Sequence, residues 1–143
     1  MYIGFLTGLG TVLHVVESFL PPPVPLPGVK IGLANVVTLV ALFLLSEKEA
    51  FCVSLLRIIL GSLLSGTFLG VTFFLSFGGG VSSFVTMCLA RRKNVSPLWV
   101  SIMGALFHNF GQWLVASLYI QSSVLLFYLP LLLLFAFPAG AFV

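Results

Sequence analysis

The chain has 143 residues, 60% of them hydrophobic and 6% charged, with a net charge of +3 and a mean hydropathy of +1.25. An ordinary soluble domain carries about 25% charged residues, so the composition excludes a soluble enzyme with a membrane anchor and leaves the bilayer as solvent. A closed β-barrel would alternate apolar and polar residues over strands of roughly 10 residues, and runs such as 125–137 do not alternate. The expected fold is all-α: one transmembrane domain over residues 1–143, a polytopic bundle of six helices.

The first apolar run covers 2–20. No basic residue precedes it and the polar pair His14 and Glu17 sits inside it, so it reads as a retained helix rather than a cleaved leader. Pro21, Pro22, Pro23, Pro25 and Pro27, followed by Gly28, cannot continue a helix. Further spans are predicted near 29–45, 50–66, 71–90, 98–119 and 124–143, each long enough to cross about 30 Å of hydrocarbon. The third and fourth are separated either at Gly66–Gly70 or at Gly78-Gly79-Gly80. The first option is preferred because Thr72, Ser76, Gly79, Ser83 and Thr86 recur at spacings of four and three, as on one face of one helix. Arg91-Arg92-Lys93-Asn94 before Pro97 is a polar loop.

Lysines and arginines in short loops mark the cytoplasmic side. Lys48, Arg91, Arg92 and Lys93 fall on one side of a six-span chain and Lys30 on the other. Both termini and the 46–49 and 91–97 loops are therefore expected in the cytoplasm, the proline-rich loop outside, and the protein in the plasma membrane as a multi-pass chain. Cys52 and Cys88 lie near cytoplasmic helix ends, where thiols stay reduced, and lack metal-ligand spacing; they read as packing residues.

Small or polar residues line one face of several helices: Ile3, Thr7, Gly10, His14 and Glu17 in the first, and Ser54, Arg57, Gly61 and Ser65 in the third. Close helix packing explains the glycines and serines. It does not explain ionisable groups, each of which costs roughly 2.5 to 3.5 kcal/mol at mid-membrane. The set comprises His14 and Glu17, then Asn35, Arg57, and His108 with Asn109 and Gln112. A rise of about 1.5 Å per residue puts His14 and His108 at similar depth, with Glu17 and Gln112 one turn further out and Lys30 and Asn35 in the same half. These residues are expected to line an outward pocket for a small-molecule substrate, with the proline-rich loop able to cover it. Arg57 lies nearer the cytoplasmic side, where it either reaches into the pocket or snorkels to the headgroups.

Catalysis has little to work with. The chain contains no aspartate, and its acids are Glu17, Glu47 and Glu49. No carboxylate pair, GxxxxGK[ST] loop or metal constellation can be assembled, so no catalytic residue, cofactor, metal or nucleic-acid partner is expected. His14 with Glu17 is a weak candidate for a general base.

The blocks Pro27-Gly28-Val29-Lys30-Ile31-Gly32-Leu33-Ala34-Asn35, Leu56-Arg57-Ile58-Ile59-Leu60-Gly61, Gly79-Gly80 with Ser82, and His108-Asn109-Phe110-Gly111-Gln112 resemble the membrane proteins called heptaprenyl diphosphate synthase component I, or the Gx transporter family. That family is similar to the substrate-binding S components of energy-coupling factor (ECF) transporters. The resemblance implies about six helices with both termini inside, an outer substrate site, and a first helix whose small residues, here Gly4 and Gly8, dock on a T component that works with ABC ATPase subunits. It also implies an alternative, a non-catalytic subunit associated with heptaprenyl diphosphate or menaquinone biosynthesis. Prenyl synthase chemistry itself needs aspartate clusters holding magnesium, which this chain cannot supply.

Overall fold

The computed structural model describes residues 1–21 and 32–143. Over these residues the chain forms six helices and no strand: α1 Tyr2–Phe19, α2 Leu33–Leu44, α3 Glu47–Leu64, α4 Val71–Arg92, α5 Pro97–Ile120 and α6 Val124–Phe142. Three of them, α1, α4 and α6, are long and apolar enough to cross a membrane, while α2 is a shorter apolar helix of 12 residues. Their outer faces carry large exposed hydrophobics, such as Phe5, Leu9, Val12 and Val16 on α1 and Leu126, Phe127 and Leu134 on α6. In water those faces would be a liability; in lipid they are solvated.

The helix ends follow from local chemistry. Gly32 takes a left-handed conformation (φ 84°) at the N-cap of α2, so the helix starts at Leu33 rather than at the expected 29; residues 29–31 lie outside the described residues. The stretch 46–49, expected as a loop, holds the first turn of α3. Ser46 accepts from the Glu49 amide and Glu49 reaches back to the Ser46 amide, a capping box that pulls Glu47, Lys48 and Glu49 into the helix. At the other end Gly66 adopts φ 67°, with Thr67 N–H bonded to Ser62 O at 2.9 Å and Gly66 N–H to Leu63 O at 3.2 Å. That paired pattern is a Schellman stop, and it puts the α3–α4 break at 65–70, leaving Gly78-Gly79-Gly80 inside α4. Asn94 (φ 54°) ends α4 the same way, so Arg91 and Arg92, expected in a loop, form its last turn, and Pro97 opens α5 where its missing N–H costs nothing.

Specific contacts fix the helix directions. Gly10, His14 and Ser18 of α1 lie beside Arg57, Gly61 and Ser65 of α3, so these two helices run parallel. Arg92 at the end of α4 is bonded to Glu47 at the start of α3, through Nε at 2.9 Å and a second guanidinium nitrogen, which makes α4 antiparallel to α3. Three side chains of α5 donate to the α6 backbone in descending order: Trp113 to Leu125 O at 2.7 Å, Asn109 to Leu132 O at 2.9 Å, and Ser101 to Gly140 O at 2.7 Å.

The apolar core gathers at one end, where the α2–α3 turn meets the end of α4 and the start of α5. Val37, Ala41, Leu42, Ala50, Val53, Phe84, Met87 and Val100 are buried together there. Toward the middle of the helices the buried residues change character, and the interior becomes polar.

Candidate functional site

The polar interior is built from side chains seated on glycines of the neighbouring helix. Gly10 of α1 makes way for Arg57: a Cβ at residue 10 would lie 3.1 Å from the Arg57 Cδ. Gly61 of α3 makes way for His14, whose ring atoms would lie 2.5 and 2.8 Å from an added Cβ. Glycine and large polar residue thus alternate four apart on both helices and interlock, which needs the parallel register of α1 and α3. On the other side Gly79 of α4 lies under His108 and Gln112 of α5, with a Cβ there 2.9 Å from the His108 Nε2 and 2.8 Å from the Gln112 Cγ.

Arg57 is turned inward rather than toward headgroups. It is 3% exposed, donates through Nε to Thr38 Oγ1 at 3.0 Å and through Nη2 to Asn35 Oδ1 at 2.8 Å. The Glu17 carboxylate accepts from the Gly32 amide, tying the end of α1 to the start of α2. Asn109 spends its amide on the α6 backbone. These side chains surround one cavity, with His14, Glu17 and Asn35 on the α1–α2 side, Arg57 on α3, and His108 and Asn109 on α5. Its remaining wall is small or apolar, including Ser76, Ser83, Ser101, Gly104 and Ala105. Measured out to its mouth, with the open space there included, the cleft encloses about 690 Å³.

Six of the residues expected to bind substrate therefore meet at one place: His14, Glu17, Asn35, Arg57, His108 and Asn109. Gln112 is buried one turn beyond His108 against Gly79 and is not part of the cavity wall. Lys30 and the proline-rich stretch from Pro22 onward lie outside the described residues. Thr38, which holds Arg57, and Ser83, which lines the cavity, were not among the expected substrate-binding residues; Thr38 follows Asn35 by three positions, which puts both on one face of α2. Gly4 and Gly8 are exposed on the opposite side of α1, and nothing lies within 4 Å of a Cβ at either. Among the described residues, no three histidine, cysteine or carboxylate side chains group closely enough to hold a metal ion.

At the far end, the Arg92 guanidinium hydrogen-bonded to Glu47 holds that carboxyl below the usual carboxylate range, and the Ser46 hydroxyl and amide do the same for Glu49. Two of the three acids thus serve helix ends remote from the cavity.

Helices fit to cross a membrane around a buried, charged cavity define an all-helical membrane protein with an internal polar site. The sequence model of the family described as heptaprenyl diphosphate synthase component I matches residues 6–143, and the chain belongs to that family. No curated protein and no solved structure matches the chain.

Proposed function

We propose that the protein is the membrane-embedded substrate-binding component of an ECF-type uptake transporter, capturing a small molecule such as a vitamin or an isoprenoid or quinone precursor. The observation that carries this reading is the cavity itself. A guanidinium, a carboxylate and two imidazoles gather where apolar packing would be far less costly, and a cleft of this kind is the default site for a ligand. In this reading all six helices form a transmembrane bundle with both termini in the cytoplasm. The Arg92–Glu47 bridge and the Ser18–Ser65 contact support it, since they put the basic loops together at one end and the outer turns at the other. The open face at Gly4 and Gly8 suits close docking by a T component. The chain is not itself catalytic: it has no aspartate for a magnesium-diphosphate site, and energy for uptake comes from partner ATPases.

The family's own description favours a second reading, a non-catalytic membrane subunit of prenyl diphosphate synthesis. Affinity purification of the intact protein from membranes separates the two. Recovery with a T component and an ATPase pair supports the transporter. Recovery with a soluble, aspartate-rich synthase subunit and no ATPase overturns it.

A further inference from the structure

We propose that the cavity is a carboxylate-binding site, with the Arg57 guanidinium as its cation and the Ser83 hydroxyl as an added donor, and that its ligand is a small organic acid. This rests on the substrate-binding reading above and names the class of substrate.

Arg57 offers five N–H donors, and among the described residues it donates to the neutral oxygens of Thr38 and Asn35. Among the described residues no carboxylate lies within ion-pair distance of Arg57. Glu17 faces the same cavity and attracts Arg57 across it, but its carboxylate accepts from the Gly32 amide and lies beyond ion-pair distance of the guanidinium. A buried cation without a contacting counter-ion is costly, and a ligand anion would supply what the described residues do not.

Ser83 is a second, independent indication. It is 1% exposed, it lines the cavity, and its hydroxyl has no hydrogen-bond partner among the described residues. Gly104 of α5 leaves the hydroxyl its space: a Cβ there would come within 3.2 Å of the Ser83 Oγ. A buried hydroxyl in lipid-embedded packing would gain by being alanine unless something accepts or donates to it.

Charge selects among anions. The described residues bring one guanidinium, Arg57, to the cavity wall beside the Glu17 carboxylate, which suits a singly charged carboxylate. A diphosphate carries more negative charge than one guanidinium can match there. The apolar wall from Leu39, Ile58, Met87 and Ala105 offers contact for the hydrocarbon part of an acid.

The test is thermal unfolding of the detergent-purified full chain, titrated with sodium benzoate, acetate, inorganic phosphate or pyrophosphate at constant ionic strength against chloride. Benzoate and acetate should raise the unfolding midpoint saturably, and pyrophosphate should not. Arg57→Lys, which keeps the charge but loses the planar fork, should weaken the carboxylate by roughly 10- to 150-fold. Because Arg57 also holds α2, Ser83→Ala is the cleaner variant: its midpoint without ligand should equal or exceed that of wild type, while carboxylate affinity falls about 10-fold. Absence of saturable carboxylate stabilisation, unchanged affinity in Ser83→Ala, or tighter binding of pyrophosphate would each overturn the proposal. The two readings fail separately. A T component that co-purifies together with a ligand lacking an acid group refutes the carboxylate site and leaves the transporter standing. Saturable carboxylate binding without any T component does the reverse.

Discussion

Replacing Gly61 by alanine tests the interlock between α1 and α3. Alanine is the better helix former by roughly 0.5 to 1 kcal/mol, and no unusual backbone angle forbids it at this position. The added methyl would, however, lie 2.5 Å from the His14 Cδ2, 2.8 Å from its Cγ and 3.1 Å from its Cβ. Since optimal carbon contacts lie near 3.5 to 4.0 Å, the ring must retreat by about 1 Å. It cannot do so by rotating, because its own Cβ is also crowded, so α1 must move as a body. Overpacking of that kind costs about 1 to 3 kcal/mol, and the net expectation is a loss of about 1 to 2 kcal/mol. The assay is reversible denaturation in mixed micelles of wild type, Gly61→Ala, His14→Ala and the double variant. Gly61→Ala should destabilise when His14 is present and by clearly less when residue 14 is alanine, which removes the ring and leaves only its Cβ at 3.1 Å. That coupling is the signature of direct contact. An equal effect of Gly61→Ala in both backgrounds would refute the seating of His14 on Gly61.

Other outcomes are expected elsewhere in the molecule. Asn35→Ala should weaken binding of the co-purified substrate by loosening Arg57, whereas Gln112→Ala should lower thermal stability equally with and without substrate. Replacing Gly4 and Gly8 with leucine should abolish T-component association and leave fold and ligand binding intact, because both positions face open space; unchanged association removes the docking face. For topology, with exposed Cys52 and buried Cys88 removed, a cysteine at Asn94 should be shielded from an impermeant thiol reagent in intact cells and one at Ser122 should react. Finally, depressed carboxyls stabilise the fold at neutral pH and lose that contribution as pH falls through their folded values. The unfolding midpoint should therefore drop as pH is lowered beneath about 4, and drop less in Glu47→Gln/Glu49→Gln; equal slopes would separate these groups from acid stability.

Much of this was legible in the residues, for identifiable reasons. Proline runs, glycine turns and the basic 91–93 cluster mark helix ends because they act locally, and the Thr72 to Thr86 spacing correctly kept Gly78-Gly79-Gly80 inside one helix. The polar side chains stood out because the bilayer makes each of them expensive. The start of α3 was misplaced although its signal, Ser46 three residues before Glu49, is also local. What periodicity cannot provide is a partner. Spacing by three and four shows that Gly10 and His14 share a face, but not that this face runs parallel to Arg57 and Gly61. The same limit hid the difference between His108 and Gln112: both lie over Gly79, and only His108 reaches the cavity. Ser83 was visible as one step of a small-residue stripe, while its role depends on Gly104 of another helix.

The way the cavity is walled decides how it can be filled. Charged groups come from α1 and α3, whose seam is the reciprocal glycine interlock, while space comes from the small residues of α4 and α5, whose seam brings Gly78 against Gly111. Neither seam has slack: at Gly61, Gly79, Gly104 and Gly111 even a methyl group would meet an atom within 3.0 Å. The cavity lies between these two units, which meet where Ile58 of α3 packs on Gly80 of α4. That boundary is also crossed by Phe51 against Phe84 and by the Arg92–Glu47 bridge, so the walls that supply charge and the walls that supply space are held together at the end of the bundle away from Glu17.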